Sequence, residues 1–107
     1  MNQLSCHVLD TATGVPASNI DVELYALDSG TCIASSTTDQ DGRAKFEDIR
    51  LEAQSYTLRF LVKPYCETHF GQAFFPMVDV HFSVNDQRNY HIPLLLSPFS
   101  YSSYRGS

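Results

Sequence analysis

The chain has 107 residues, 43% of them hydrophobic, and this length fits one compact domain spanning residues 1–107. Its formal charge of -5 and its seven scattered Lys and Arg residues exclude the basic face that nucleic-acid binding requires. No apolar run approaches the roughly 20 residues needed to cross a bilayer, so we expect no membrane partner.

The cysteines and the first residues of the chain bear on the compartment. Cys6, Cys32 and Cys66 are odd in number and have no C-x-x-C spacing, which favours a reducing compartment. Met1 leads directly into the strand-like segment LSCHVLD, without a basic region followed by an apolar one. We therefore expect a cytoplasmic protein without a signal peptide.

Short segments of alternating apolar and polar residues, separated by turn residues, are typical of strands. In chain order, the first half predicts strands at residues 4–9 and 20–26, at TCIASSTT, and at RAKF after a tight turn at Asp41-Gly42. The second half predicts strands at SYTLRFLVKPYC, MVDVHFSV, NYHIPLLLS and SYSSYRGS, with a brief helical turn between Cys66 and Gln72. This pattern predicts an all-β, two-sheet β-sandwich of about eight strands with one short helix.

The segment NYHIPLLLS has two different faces. One face is large and mostly apolar, as a core requires, and carries Tyr90, Ile92, Leu94 and Leu96. The opposite face carries Asn89, His91, Pro93 and Leu95. Because that second face mixes a histidine with apolar residues, we expect another subunit to cover it.

Alternation also separates the four histidines. His7 lies opposite the apolar face of its strand, as does His91, so both side chains project from one outer surface if their strands share a sheet. The alternative is that each is an ordinary solvated histidine. We expect structural roles for His81, on the solvent face of its strand, and for His69, in the helical turn.

No motif for a covalent nucleophile or a metal stands out. Cys6 and His7 are neighbours in a strand and should point to opposite faces, so they do not pair as nucleophile and base. A serine nucleophile elbow is also absent from the sequence. The residue two positions before His91 is Asn89 and not a second histidine, and we expect neither a metal nor a cofactor.

Arg43 directly follows the predicted Asp41-Gly42 turn. It is either a solvated arginine at the end of a hairpin or a clamp for an anion, since a guanidinium offers a planar fork of donors to a charged or developing oxyanion. The sequence pattern leaves both alternatives open.

Three segments are distinctive when taken together: LSCHVLDTATGVPASNIDVELY, TTDQDGR, and FFPMVDVHFSV with the later NYHIPLLLSPFSYSSYRGS. They resemble the transthyretin-related 5-hydroxyisourate hydrolases, and the resemblance covers essentially the whole chain. The most specific element is the ending Tyr104-Arg105-Gly106-Ser107, which distinguishes the family's enzymes from the hormone-binding transthyretins. The latter share the turn before this ending but continue past it and lack the catalytic histidines.

The resemblance implies a transthyretin-like sandwich that forms a homotetramer, a dimer of dimers with sites in its central channel. It also implies hydrolysis of 5-hydroxyisourate in urate degradation, with His7, Arg43, His91 and Ser107 as catalytic residues. The residues implied to bind the substrate are His7, Arg43, Tyr104, Arg105 and Gly106. The carboxylate of Ser107 is expected to belong to the site wall.

Two positions depart from the family pattern. Cys6 replaces a common threonine, but its side chain should face the core and affect the chemistry little. Asn89 stands where some relatives have a histidine that helps to hold zinc, which argues against a zinc site.

The predicted mechanism is attack by water, with His7 as the general base, His91 positioning the substrate or donating a proton, and Arg43 stabilising the oxyanion. Two alternatives remain. One is a non-catalytic, transthyretin-like carrier of small molecules, and the other is a plain structural sandwich.

Overall fold

The computed structural model describes residues 3–106, which form nine β-strands and one α-helix. The strands are β1 (Leu4–Asp10), β2 (Val15–Pro16), β3 (Asp21–Ala26), β4 (Cys32–Thr37), β5 (Arg43–Phe46), β6 (Ser55–Leu61), β7 (Val78–Ser83), β8 (Tyr90–Leu96) and β9 (Tyr101–Ser103). The helix is α1 (Lys63–Phe70). One sheet has the order β2-β1-β8-β9 with β5 also paired to β1, and the other has the order β4-β3-β6-β7. The predicted two-sheet sandwich with one short helix is therefore confirmed.

The first strand and a late strand lie side by side in the centre of the first sheet. β1 and β8 are parallel, with Leu4 opposite Tyr90 at one end and Asp10 opposite Leu96 at the other. Parallel neighbours cannot be joined by a hairpin, so the chain between them crosses to the second sheet and returns. This pairing gives β1 and β8 one common core face and one common outer face.

The core lies between the sheets and is built from the residues that alternate inward. Every second residue of β1 from Leu4 to Asp10 is buried, and the apolar face of β8 is buried as well. The largest fully buried side chains of the core are Tyr56, Phe60, Leu4, Ile20, Leu24, Leu58, Leu94, Leu96, Val8, Val22, Val62 and Val78. Removing this much apolar surface from water supplies the main driving force for folding.

The helix begins earlier than the sequence pattern predicted. The predicted strand ran through Cys66 and the helical turn began there, but the strand ends at Leu61 and the helix begins at Lys63. Pro64 lies in the first turn of the helix, where a missing backbone N–H leaves no hydrogen bond unmade. The helix ends at Phe70 and is followed by Gly71, whose φ of 80° is left-handed.

The turn before β5 connects the two sheets. Gly42 has a φ of 76° and its N–H donates to the carbonyl of Asp39 at 2.9 Å, so a tight turn is present as predicted. The turn does not close a hairpin, however, because β4 belongs to one sheet and β5 to the other. The turn therefore delivers Arg43 to the outer face of the sheet that contains β1 and β8.

Within residues 3–106, no helix has the length and apolar character needed to span a membrane.

Candidate active site

His7 and Arg43 face each other across neighbouring strands. In the antiparallel pairing of β1 with β5, His7 lies directly opposite Arg43, and directly opposite residues share a face. His7 is half-buried and Arg43 is exposed. The outward orientation predicted for His7 is confirmed, and a guanidinium stands beside it.

The turn from Asp39 to Gly42 holds both groups in place. One carboxylate oxygen of Asp39 accepts hydrogen bonds from the backbone N–H groups of Asp41 at 2.8 Å and Arg43 at 3.0 Å. These bonds hold the pKa of the Asp39 carboxyl below its usual value, and the bond from the Arg43 N–H has the largest effect. In the same turn, the carbonyl of Asp41 lies 3.1 Å from Nε2 of His7.

The Asp41 carbonyl determines where the proton lies on a neutral His7. A carbonyl oxygen only accepts hydrogen bonds, so Nε2 of His7 must be the donor. In the neutral imidazole the other nitrogen, Nδ1, then carries a lone pair. His7 is thus held in the tautomer in which Nδ1 can accept a proton.

His91 lies on the same outer face, in the strand parallel to β1. Ser5 is directly opposite His91, and the Ser5 Oγ is 2.8 Å from Nδ1 of the imidazole. On the other side, the Gly106 N–H donates to the His91 carbonyl at 2.8 Å and forms an isolated bridge with it. Ser5 and Gly106 therefore flank His91 from the two neighbouring segments.

Gly106 also contacts the imidazole itself. A Cβ added at position 106 would lie 2.6 Å from Cδ2 of His91 and 3.2 Å from its Cγ. Real Cβ atoms do not approach ring carbons that closely, and the backbone at this position can pack against the ring only because glycine lacks a side chain. This contact gives a structural reason for the glycine in the chain ending.

The environment of His91 keeps its imidazole neutral. Burial lowers its pKa below the usual value, and the positive charges of Arg43 and of a protonated His7 lower it further. A neutral imidazole has one nitrogen that donates and one that accepts, so it can bind or polarise a substrate without carrying charge.

A cavity of about 440 Å³ opens beside these groups. Its lining consists of Gln3, Ser5, Arg43, Asn89, Tyr90 and His91. His7 is not part of the lining and lies next to it, across from Arg43. The volume is of the size that holds a small heterocyclic molecule.

The described residues of the chain ending divide between two places. Gly106 lies against His91, whereas Arg105 lies over the ring of Tyr90 at 4.3 Å and 3.9 Å from a carboxylate oxygen of Asp86. Tyr104 is exposed and, with Arg105, lines a separate cavity of about 270 Å³. Ser107 lies outside the described residues.

The other two histidines and Cys6 lie where the sequence pattern placed them. His81 is exposed and its Nδ1 lies 2.7 Å from the Thr57 hydroxyl, while His69 stacks on Tyr65. Cys6 is fully buried, and burial raises the pKa of its thiol to about 12, which makes it a poor nucleophile.

Sequence reasoning missed Ser5 and the Asp41 carbonyl. Ser5 shares its face with His7 by alternation, and that parity was the signal available for it. Nothing in the sequence pattern indicated that a turn carbonyl would meet the His7 imidazole.

Asn89 has a structural partner at the edge of the cavity. Its side-chain oxygen accepts a hydrogen bond from the Gln3 N–H at 3.0 Å. In the part of the chain that the structure describes, no three His, Cys, Asp or Glu side chains lie close enough together to hold a metal ion.

Comparison with known proteins identifies the class to which this sandwich and its outer-face site belong. The sequence matches the model of the HIUase/Transthyretin family over residues 4–106. The chain therefore belongs to the HIUase/Transthyretin family.

Relatives and solved structures bring the comparison to individual proteins. The chain is 36% identical to a probable 5-hydroxyisourate hydrolase of Schizosaccharomyces pombe, over 97% of this chain and 90% of that protein. It matches the structure of Klebsiella pneumoniae 5-hydroxyisourate hydrolase with a TM-score of 0.89 and 31% identity, covering all of both chains. It also matches sea bream transthyretin in complex with thyroxine, with a TM-score of 0.80 and 30% identity over 96% of this chain and 93% of that one.

Proposed function

We propose that this protein is a 5-hydroxyisourate hydrolase that opens the six-membered ring of its substrate at an amide-like carbonyl. The product is 2-oxo-4-hydroxy-4-carboxy-5-ureidoimidazoline, formed during urate degradation. The observation that carries this proposal is the grouping of two imidazoles and a guanidinium on one outer sheet face beside a cavity of about 440 Å³. The hydrolases of Schizosaccharomyces pombe and Klebsiella pneumoniae, which align along nearly the whole chain, support it.

In the proposed mechanism, water attacks the carbonyl directly. His7 removes a proton from the water through Nδ1, since its Nε2 donates to the Asp41 carbonyl. Arg43, directly opposite His7, stabilises the negative charge that develops on the carbonyl oxygen. His91 positions the substrate or donates a proton, and the carboxylate of Ser107 orients Arg43 or a histidine. Tyr104, Arg105 and Gly106 contribute to substrate binding in this proposal.

The mechanism uses no metal or cofactor. The side chains available to it are two imidazoles and a guanidinium. The side-chain oxygen of the nearby Asn89 already accepts a hydrogen bond from the Gln3 N–H. A base and an oxyanion donor are sufficient for hydrolysis of an activated cyclic amide.

We also propose that the protein is a cytoplasmic homotetramer. Leu9 and Leu95 lie directly opposite each other on the outer face of β1 and β8 and are only half-buried, and Phe99, in the turn after β8, is 61% exposed. A second dimer would cover these apolar side chains. The three cysteines are free, in keeping with a reducing compartment.

A transthyretin-like carrier is the second candidate, favoured by the match to the thyroxine complex of sea bream transthyretin.

The deciding experiment adds the purified protein to freshly prepared 5-hydroxyisourate and follows the loss of its absorbance. We expect turnover at catalytic protein concentrations, with or without a chelator. Stoichiometric binding without turnover would instead identify a carrier.

A further inference from the structure

We infer that Ser5 is a positioning residue whose hydroxyl donates to Nδ1 of His91, so that His91 presents an N–H donor at Nε2 and His7 is left as the general base. The role of His7 as a base rests on the proposed hydrolase function. The proton positions on both histidines can be measured without any substrate.

The two groups are brought together by the most central pairing of the sheet. Ser5 and His91 are Cα partners in the parallel register of β1 and β8, and Oγ lies 2.8 Å from Nδ1. Both strands are paired on both sides, β1 with β5 and β8 with β9, which limits movement of either backbone. The contact is therefore a fixed feature of the sheet.

The direction of the hydrogen bond follows from the partners that each atom has. Within residues 3–106, the Ser5 hydroxyl has no hydrogen-bond partner other than Nδ1 of His91. If Nδ1 carried the proton, Ser5 would accept it, and the half-buried hydroxyl hydrogen would find an acceptor only in water of the cavity that Ser5 lines, not in the protein. If Ser5 donates, both atoms are satisfied by one bond.

The second side of the ring is closed by the chain ending. Gly106 packs against the Cδ2 edge of the imidazole, so close that an added Cβ would lie 2.6 Å away. Ser5 engages Nδ1 on the first side, and Nε2 is the nitrogen that remains. Ser5 and Gly106 together fix both the orientation and the tautomer of His91.

The surrounding charges agree with a neutral ring. Burial lowers the pKa of His91, and the positive charges of Arg43 on β5 and of a protonated His7 on β1 lower it further. The lone pair of a neutral imidazole is then taken up by the Ser5 hydroxyl. A lone pair used in this way is not available to activate water.

The two histidines thereby acquire complementary roles. His7 donates through Nε2 to the Asp41 carbonyl and keeps the lone pair of Nδ1, whereas His91 uses its Nδ1 lone pair for Ser5 and keeps an N–H at Nε2. A neutral imidazole N–H beside Arg43 can stabilise an oxyanion. The structure thus assigns base and donor between two otherwise similar side chains.

The test compares Ser5→Ala with Ser5→Thr, which keeps the hydroxyl, and with Ser35→Ala as a matched control. Ser35 is an exposed serine on the outer face of the other sheet, opposite Glu23. The readouts are ¹⁵N NMR of the histidine side chains, which distinguishes protonated from unprotonated ring nitrogens, and the separate values of kcat and KM.

In the unaltered protein we expect His91 to carry its proton on Nε2, with the Nδ1 signal shifted by an accepted hydrogen bond. In Ser5→Ala that shift should disappear and kcat should fall about tenfold or more with little change in KM, because an unconstrained ring orients its donor less well. Ser5→Thr should restore both, and Ser35→Ala should change neither.

Two results would overturn the inference. One is a protonated Nδ1 on His91 in the unaltered protein, and the other is a Ser5→Ala variant with unchanged kcat and an unchanged Nδ1 signal. A protein that fails to turn over 5-hydroxyisourate would instead remove the proposed function, while the NMR result would still decide the hydrogen-bond direction.

Discussion

Neighbouring residues of β1 have opposite environments, and this contrast defines the chemistry of the site. Cys6 is fully buried with a thiol whose pKa is raised to about 12, whereas His7 projects to the half-exposed outer face. The alternation of a strand is enough to separate them. The nearest thiol is thus excluded as a nucleophile, and the outer face is left to imidazole and guanidinium groups.

The proposed catalytic residues should be sensitive to single substitutions. We expect His7→Asn, His91→Asn and Arg43→Ala each to reduce turnover by orders of magnitude while circular dichroism shows a retained fold, because each removes a group that acts on the reacting atoms. The matched control is His81→Asn, on the exposed face of the other sheet, which should keep normal activity. Near-normal turnover of the His7 variant would remove His7 as the base.

The lowered pKa of His91 predicts how stability depends on pH. Its pKa in the folded protein lies below that of the unfolded chain, about 6.5, so the unfolded state binds the proton more readily. Above about pH 6.5, His91 is neutral in both states and its burial does not oppose folding. At lower pH the unfolded chain gains the proton first, so the free energy of unfolding should fall as the pH decreases from about 7 to about 5.

Denaturant titrations of the unaltered protein and of His91→Asn at several pH values isolate this effect from other titrating groups. The decline toward acid pH should be shallower in the variant. Parallel pH profiles for the two proteins would mean that burial of His91 contributes no pH dependence.

Among the elements, the turn that leads into β5 has the most direct effect on the site. Within five residues, 39–43, it supplies the carbonyl that meets His7, the carboxylate that binds two backbone N–H groups, and Arg43 itself. Gly42 permits this geometry, since its φ is 76° and a Cβ there would lie 2.6 Å from the Val8 carbonyl oxygen.

We predict that Gly42→Ala destabilises the protein by about 1–3 kcal/mol and also lowers turnover, because the strained turn must shift both Arg43 and the Asp41 carbonyl. Gly30→Ala is the matched control: Gly30 has a similar φ of 70°, but nothing lies within 4 Å of an added Cβ. It should lose about 1 kcal/mol of stability or less and keep its activity. Equal activity loss in both variants would contradict a specific role of the Gly42 turn.

The chain ending is the second element that reaches the site. The Gly106 N–H holds the His91 carbonyl, so anything that displaces Gly106 should also displace the imidazole beside it. The proposed role of the Ser107 carboxylate further requires a free chain end at a fixed distance from β8.

We therefore expect a tag appended after Ser107 to impair turnover strongly while the protein still folds, and deletion of residues 105–107 to have a similar effect. A protein with the same tag at its N-terminus is the control and should keep its activity. Equal specific activity of the two tagged proteins would show that the chain ending is only structural.

At the scale of the whole molecule, the outer face of the β1–β8 sheet is only partly covered within one chain. Pro93, which was expected to be exposed there, is already buried, whereas Leu95 and its opposite residue Leu9 are half-buried and Phe99, in the turn after β8, is exposed. A covering subunit would therefore bury the apolar side chains at the end of the sheet near Phe99 more than Pro93.

We predict that the native mass, measured by light scattering, corresponds to four chains. Phe99→Glu should shift it toward smaller species, because a buried charge in an apolar contact is costly. Ile33→Glu, at a comparably exposed position on β4 of the other sheet, should not. A stable and fully active monomer would contradict the proposed assembly.

Much of this architecture follows from local sequence pattern. Period-two alternation placed Leu4, Cys6 and Val8 in the core and His7 outside it, and the same rule applied to β8 placed His91 outside. The glycine of the Asp41-Gly42 turn was recognisable because a left-handed φ favours glycine. Alternation is a property of a few consecutive residues, so a sequence carries it without reference to distant parts of the chain.

The contacts that define the site were decided by tertiary structure. Ser5 meets His91, the Asp41 carbonyl meets His7, and Arg105 turns toward Tyr90 while Gly106 lies against His91. Each contact depends on the register between strands that are far apart in the chain, and a shift of one residue would move every side chain to the other face. Local pattern determined which residues face outward, whereas only the packed sheets decided which of them touch, because register is set by the whole core at once.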